Sequence, residues 1–151
     1  ISIYLLKLIR MLHIIFYSVF FSLFNPPITL EIKMEGLIPE KGTIRIGLYN
    51  SADAFKDEAN PNHAQIVPVG KNATQIIKFE GLPEGKYLVA AYQDVNGNKK
   101  IDKNILGIPT EAYAFSNDVF PKWKSPSFNE AAVKLERPYE SIRLKFRTWI
   151  E

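Results

Sequence analysis

The chain has 151 residues, of which 46% are hydrophobic and 23% are charged, so it is long enough for one globular domain with a substantial core. It contains no cysteine, which excludes disulfides, thiolate catalysis, zinc sites with sulfur ligands and a lipid anchor on a cysteine. The formal charge is +3 and includes Lys7 and Arg10 near the N-terminus, so the rest of the chain is close to neutral and lacks the basic surface of a nucleic-acid-binding protein.

Residues 1–24 are almost entirely apolar, and their two basic residues lie in the first half. A charged start followed by an apolar stretch is typical of a secretory signal. The uninterrupted part, residues 11–24, is short for a membrane span, which needs about 20 apolar residues. No small-x-small cleavage motif ends the segment, so a cleaved signal peptide and a retained N-terminal membrane anchor both stay open. Either one predicts an exported protein that contacts the membrane only through this segment, if at all.

Two segments after the N-terminal leader (residues 1–24) alternate strictly between apolar and polar residues. In residues 28–35 the apolar positions are every second residue from Ile28, and in residues 43–49 they begin at Ile44. Period-two alternation predicts strands with one buried and one solvated face. Gly36 and the segment 39–42 have turn composition, so the two strands are predicted to form a hairpin.

The remaining elements are short and separated by turn residues. Residues 50–65 are polar, with one or two helical turns predicted at 52–59, and further strands are predicted at 75–79, 86–93, 133–136 and 141–149. The strand at 86–93 is apolar on both faces, which predicts a central position in its sheet. The pattern predicts an all-β fold, an Ig-like antiparallel β-sandwich of about seven strands in a single domain at 28–150.

A polar loop directly follows that central strand. Asp94, Asn96, Asn98 and Asp102 occupy positions 1, 3, 5 and 9 of the loop, and the carbonyl oxygen of Lys100 could be a fifth ligand. Such spacing can present several oxygens to calcium. The loop is not an EF-hand, which needs glycine at position 6 and glutamate at position 12. A weak calcium site and a purely structural turn, which asparagine, glycine and aspartate also favour, are both left open.

The segment from Gly107 to Asn117 combines glycine, proline, aromatic and polar residues in a predicted loop, and a tryptophan follows it. Loops often carry binding residues. The candidate ligand contacts are Glu111, Tyr113, Phe115, Ser116, Asn117 and Trp123. In the alternative interpretation the aromatic rings close one end of the core and Glu111 accepts hydrogen bonds from backbone amides. Trp123 could equally stack on a sugar, lie at a lipid interface or cover the core.

Catalysis has little support in the sequence. His63 is the one histidine outside the leader, and no nucleophile is evident near it. Glu111 with Asp94 or Asp118 could form an acid–base pair for hydrolysis, but nothing in their spacing indicates it. The alternating basic row Arg143, Lys145 and Arg147 is predicted to be a solvated strand face. The chain is therefore predicted not to be an enzyme.

Several motifs together resemble a known family. They are Phe79-x-Gly-Leu-Pro-x-Gly-x-Tyr87, Asp94-x-Asn-x-Asn98, Gly107-Ile-Pro-Thr-Glu111, Phe115-Ser-Asn117 and Pro126-Ser-Phe128 with Ala131. The set, spread over about residues 28–150, resembles the uncharacterised bacterial family "domain of unknown function 2141". The Gly-Leu-Pro-x-Gly-x-Tyr hairpin is also similar to that of prealbumin-like and collagen-adhesin B-type domains, which makes a prealbumin-like sandwich the alternative to an Ig-like one.

The resemblance implies an exported bacterial β-sandwich that is periplasmic, associated with the outer membrane, or secreted. The favoured function is a non-catalytic accessory or binding module, stabilised by calcium if the polar loop binds it, with an envelope component or a glycan as partner. One alternative is a small extracytoplasmic hydrolase that uses carboxylates of the 94–118 loops. Another is a purely structural envelope protein.

Overall fold

The computed structural model describes residues 3–24, 26–56, 60–121 and 124–149. Its helices are α1 (Ile3–Phe24), α2 (Ala52–Lys56) and α3 (Phe128–Ala131), with a 3₁₀ turn at Ser116–Asp118. Its strands are β1 (Ile28–Glu35), β2 (Thr43–Tyr49), β3 (His63–Pro68), β4 (Thr74–Leu82), β5 (Gly85–Asp94), β6 (Tyr113–Phe115), β7 (Val133–Leu135) and β8 (Tyr139–Lys145).

The strands form two sheets, which confirms the all-β prediction. One sheet has the order β4-β1-β8, and the other has the order β3-β2-β5-β6, with β7 also paired to β5. The prediction that the doubly apolar strand is central is confirmed, because β5 has neighbours on both edges. Two short strands, β3 and β6, lie in segments for which the sequence predicts no strand, so the described residues contain eight strands rather than about seven.

Two predictions about strand pairing are wrong. β1 and β2 do not form a hairpin, because they belong to different sheets and their apolar faces meet across the core instead of side by side. The fold is not purely antiparallel either, since β1 pairs in parallel with β8, with Ile32 opposite Ile142. Beyond β8, Arg147 forms a bridge to Tyr113 of β6, so the C-terminal segment pairs with both sheets in turn.

The main core lies between the two sheets. Leu30, Ile32 and Met34 of β1 are fully buried and share one cluster with Ile44 and Leu48 of β2. A fully buried aliphatic side chain contributes about 1.5–3 kcal/mol, so this alternating face accounts for much of the stability of the sandwich. The outer face of the β4-β1-β8 sheet is charged, and the prediction of a solvated basic row holds for Arg143 and Lys145, whereas Arg147 lies beyond β8, is half-buried and pairs with Asp118. On that outer face Arg143 lies 3.5 Å from Glu35, and Lys145 lies 3.6 Å from Asp118.

The N-terminal helix α1 differs from the rest of the fold in its exposure. Every described side chain from Ile3 to Tyr17 is exposed, although most of them are apolar. Within the described residues, none of the helices has both the length and the hydropathy required to cross a bilayer.

Candidate functional groove

The outer face of the five-stranded sheet is covered by two different layers. Over one half, α2 and α3 pack on the sheet and bury a second small cluster of Tyr49, Phe55, Leu88 and Ala131. The chain segment 95–111, called here the covering loop, extends over the other half. A groove of about 650 Å³ lies between this loop and the sheet. The volume is in the range of pockets that hold small ligands, about 300–1,000 Å³.

Three strands supply most of the floor of the groove. Arg45 and Gly47 come from β2, Tyr92 comes from β5, and Tyr113 and Phe115 come from β6. These residues alternate with side chains that point into the main core, so the groove exists because the second face of the sheet is also largely apolar. The covering loop contributes apolar walls through Ile101, Leu106, Ile108 and Pro109.

The charges of the groove are all of one sign. Four cationic side chains line it, those of Arg45, Lys99, Lys103 and Lys124, and none of the described lining residues is acidic. Arg45 donates a hydrogen bond from Nε to Asp94 over 2.8 Å. The three lysines form no salt bridge with any described residue. The result is an apolar groove whose charged lining is entirely cationic, although Arg45 is paired with Asp94 and Lys124 lies close enough to Glu130 to help lower the pKa of that carboxyl.

Asp94 holds the first half of the covering loop in place. Its carboxylate is fully buried and accepts hydrogen bonds from the amides of Gly97 (2.8 Å) and Lys99 (3.0 Å) besides that from Arg45. Burial by itself raises the pKa of this carboxyl, but the Arg45 hydrogen bond and the two amide hydrogen bonds outweigh burial and hold the pKa below its usual value. Asp94 therefore fixes the backbone of Gly97 and Lys99 beside the groove.

This pKa shift predicts how stability depends on pH. A carboxyl with a lowered folded-state pKa stabilises the fold at pH values above its unfolded pKa, about 3.9, and loses that contribution as the pH falls through the folded-state pKa. We expect the free energy of unfolding of the wild type to fall more steeply below about pH 4 than that of Asp94→Asn, as measured by urea denaturation at several pH values. Parallel pH profiles for the two proteins would contradict the assignment.

Glu111 and Asn104 hold the second half of the covering loop. Glu111 is buried and accepts the amide of Val95 through Oε1 (2.8 Å) and the amide of Asp102 through Oε2 (3.1 Å). One carboxylate thus joins the two ends of the loop. The side-chain oxygen of Asn104 accepts the amides of Leu106 (2.9 Å) and Ile108 (3.1 Å), which sets the turn that carries both apolar residues into the wall of the groove.

The predicted calcium ligands are all near one another but have different neighbours. Asp102 is approached by the side-chain nitrogens of Asn96 (2.6 Å) and Asn98 (2.7 Å). The side-chain oxygens of those two asparagines accept the amides of Asn98 and Lys100 respectively. The described residues include no group of three or more His, Asp or Glu side chains placed to hold a metal ion. Calcium binding stays a prediction beside the structural turn.

A thermal-denaturation titration tests calcium binding. Asp94 already accepts hydrogen bonds from Arg45 and two backbone amides, whereas Asp102 is bonded by side-chain amides, which an ion can displace, so Asp102 is the carboxylate to substitute. If the loop is a weak site of the extracellular type, with an affinity of about 10⁻⁴–10⁻³ M, then we expect millimolar calcium to raise the Tm. Asp102→Asn is expected to remove the rise, and magnesium is the matched ion control. An unchanged Tm in the wild type would end the calcium hypothesis.

The structure brings two of the six predicted ligand contacts, Tyr113 and Phe115, into the groove. Glu111 instead binds the backbone amides of the covering loop, as its alternative interpretation has it. Ser116 is fully buried and its hydroxyl bonds the backbone of Val89 and Ala131, while Asn117 donates to the carbonyl of Ala132 over 2.9 Å. Trp123 lies outside the described residues. The ligand-binding role of all six stays a prediction.

Sequence reasoning missed most of the groove. Arg45, Tyr92, Lys99, Lys103 and Leu106 line it, although none of them was a candidate. One sequence signal does indicate the floor of the groove. Strand β5 is apolar on both faces, so another segment of the chain must pack over its outer face. The lysines carry no comparable signal, because only the folded loop shows which of the exposed lysines point toward one place.

The fold and the groove define a class, namely a two-sheet β protein with a covered groove on the outer face of one sheet. The family model described as "Uncharacterized protein conserved in bacteria (DUF2141)" matches residues 32–143, which extend from β1 to β8. The chain belongs to this family, which confirms the family predicted from its motifs. Neither the curated proteins nor the solved structures contain a match to the chain.

Proposed function

We propose that this protein is a non-catalytic binding module that works outside the bacterial cytoplasm and holds a small ligand in the groove. The observation that carries the proposal is the groove itself, about 650 Å³ in volume, with an aromatic floor and apolar walls. Ligand sites typically combine such apolar walls with a few polar groups that fix orientation. Arg45 and the hydroxyl of Tyr92 are groups of that kind.

A binding role is better supported than the alternative hydrolase. Asp94 and Glu111, two of the three carboxylates on which a hydrolase would depend, are buried and accept hydrogen bonds from Arg45 and from backbone amides. The third, Asp118, is paired with Lys145 and Arg147. None of these carboxylates lines the groove, and neither does any described histidine. A general acid or base must reach the bond that reacts. The contacts of Asp94 and Glu111 instead support a role in shaping the covering loop.

The proposed location rests on the N-terminal segment. An apolar helix whose described side chains from Ile3 to Tyr17 are all exposed is suited to recognition by an export pathway or to insertion at a membrane surface. Residues 1–24 then act as an export signal or as a retained anchor. The remainder forms one binding domain, for which we propose an Ig-like or prealbumin-like sandwich.

A pair of tryptophan substitutions tests the use of the groove. Ala64 is an exposed residue of β3 that lines the groove, and Ser141 is an exposed residue of β8 on the other sheet. We expect a screen of small charged and neutral fragments to give hits that shift the backbone NMR signals of Tyr92, Ile101 and Ile108. Ala64→Trp should abolish these shifts by filling the groove, whereas Ser141→Trp should leave them intact.

Two results would contradict binding in the groove. Hits that shift signals elsewhere, or shifts that persist unchanged in Ala64→Trp, would show that the groove is not the binding site. Thermal denaturation of both variants verifies that each is folded before the comparison is made.

A further inference from the structure

We infer that the ligand of the groove is an anion with an apolar body, such as an aliphatic or aromatic carboxylate or sulfonate. This inference rests on the proposed function and names the class of ligand. It depends on the combination of two properties in one site, an apolar surface and a one-signed set of charges.

The charged side chains that line the groove are all cationic. Lys99, Lys103 and Lys124 border the groove, and no described acidic side chain lines it. The whole sequence has 19 basic and 16 acidic residues, so an all-cationic lining does not simply reflect the composition. Cations that share one concave site raise the local positive potential and favour an anionic ligand. Exposed lysines elsewhere on the described surface are often paired, as Lys33 is with Glu35 and Lys78 is with Glu31.

Two further groups can orient the anion. Arg45 lines the groove and uses Nε for its hydrogen bond to Asp94, which leaves the two terminal nitrogens of the guanidinium as donors. The Tyr92 hydroxyl forms no hydrogen bond with another described residue. Burial raises the pKa of this phenol, the nearby Arg45 charge lowers it, and the Asp94 and Glu111 carboxylates raise it, so the hydroxyl stays protonated at neutral pH and can donate.

The groove also contains exposed aliphatic side chains. Leu106 is 75% exposed and lines the groove, whereas its neighbour Ile105 is fully exposed and does not. Ile66 of β3, which is 58% exposed, lines the same groove. An apolar chain or ring between Leu106 and Ile66 would cover both side chains, while water alone leaves them exposed.

Two pairs of probes, which differ only in charge, test the inference on the full-length protein. The aromatic pair is 1-anilinonaphthalene-8-sulfonate and N-phenyl-1-naphthylamine, and the aliphatic pair is decanoate and 1-decanol. In a pair whose members bind to the groove, we expect the anion to bind about tenfold more tightly than the neutral probe at low salt. The pair that shows this preference identifies whether the body of the ligand is aromatic or aliphatic.

Matched variants assign the binding to the groove. Leu106→Ser is expected to weaken binding of the anionic probe severalfold, whereas Ile105→Ser is expected to leave its binding unchanged. Any binding of the probe to α1 is the same in both variants. Lys99→Glu combined with Lys103→Glu should weaken binding of the anionic probe about tenfold and leave binding of the neutral probe unchanged. The control, Lys71→Glu combined with Lys86→Glu, makes the same change in net charge at exposed positions outside the groove.

The outcomes separate the inference from the proposed function. If Leu106→Ser weakens both members of a pair equally and the lysine variants have no effect, the groove binds ligands but the anionic class is wrong. If Leu106→Ser and Ile105→Ser bind every probe alike, the groove is not the site and both proposals fail.

Discussion

Replacing Asp94 with alanine is expected to lower the free energy of unfolding by about 3 kcal/mol, because removal of one partner from a buried ion pair leaves uncompensated donors. The substitution removes the acceptor of three hydrogen bonds at once, those from Arg45 and from the amides of Gly97 and Lys99. Arg45 keeps partial access to solvent, with 21% of its side chain exposed, which places the loss at the lower end of the range for buried pairs. Equilibrium urea denaturation measures the change.

Two comparison variants separate the effect of charge from that of shape. Asp94→Asn keeps the size of the side chain and one carbonyl oxygen, so it is expected to cost less than alanine does. Asp102→Ala removes a half-buried carboxylate that faces the side-chain amides of Asn96 and Asn98, and it should cost only about 1 kcal/mol. If Asp94→Ala is no worse than Asp102→Ala, Asp94 does not organise the covering loop.

The second large effect is expected at Gly42, where alanine should cost about 3 kcal/mol through backbone strain and a steric clash. Gly42 has φ of +65°, and a Cβ atom there would lie 2.7 Å from Cα of Val95 and closer still to the carbonyl oxygen of Asp94. The residue lets the β1–β2 connection approach the end of β5. Repulsion at this point would move Asp94 and the covering loop together, so groove binding is expected to weaken as well.

Gly81→Ala is the matched control for Gly42→Ala. Gly81 also has a positive φ, +76°, but no atom lies within 4 Å of the position that its Cβ would occupy. It should therefore cost only the strain of the left-handed conformation, about 1 kcal/mol. The difference between the two alanine variants in thermal or urea denaturation isolates the clash. Equal losses would mean that the close approach of the backbone at Gly42 has no energetic importance.

A buried glutamine strengthens the same junction. The side chain of Gln93 is fully buried, accepts the amide of Ile38 (2.9 Å) and donates to the carbonyls of Ile38 and Lys41 (both 2.8 Å). Three backbone groups of the β1–β2 connection are thus bound to the strand that precedes the covering loop. Gln93, Asp94 and Gly42 together explain how a polar surface loop keeps a defined position over the groove.

The strands with a clear period of two could be predicted from the sequence. The predicted limits of β1 and β2 are the observed ones, because one face of each strand lies in the core and its alternation is strict. β3 was missed because its pattern is weak. Its two faces are half-buried and exposed, and it is an edge strand that supplies few buried side chains. Periodicity reports the burial of a face, and an edge strand buries little of either face.

The pairing of the strands depends on contacts that local sequence does not record. The connection between β1 and β2 has the composition of a hairpin turn, yet Leu37 within it is buried in the core and the chain crosses to the other sheet. Similarly, a carboxylate in a polar loop can face an ion or its own backbone. The residue type of Asp94 is the same in both cases, and only the positions of Arg45, Gly97 and Lys99 distinguish them.

The most direct test of groove binding is a measurement of nuclear Overhauser contacts between the methyl-labelled protein and whichever anionic probe binds more tightly, decanoate or 1-anilinonaphthalene-8-sulfonate. Cross-peaks are expected from the probe to the methyl groups of Ile66, Ile101, Leu106 and Ile108, and none are expected at Ile105 or at the core residue Ile32. Cross-peaks confined to the methyl groups of α1, or the absence of contacts to all four groove residues at a saturating concentration of the probe, would contradict the assignment of the groove as the binding site.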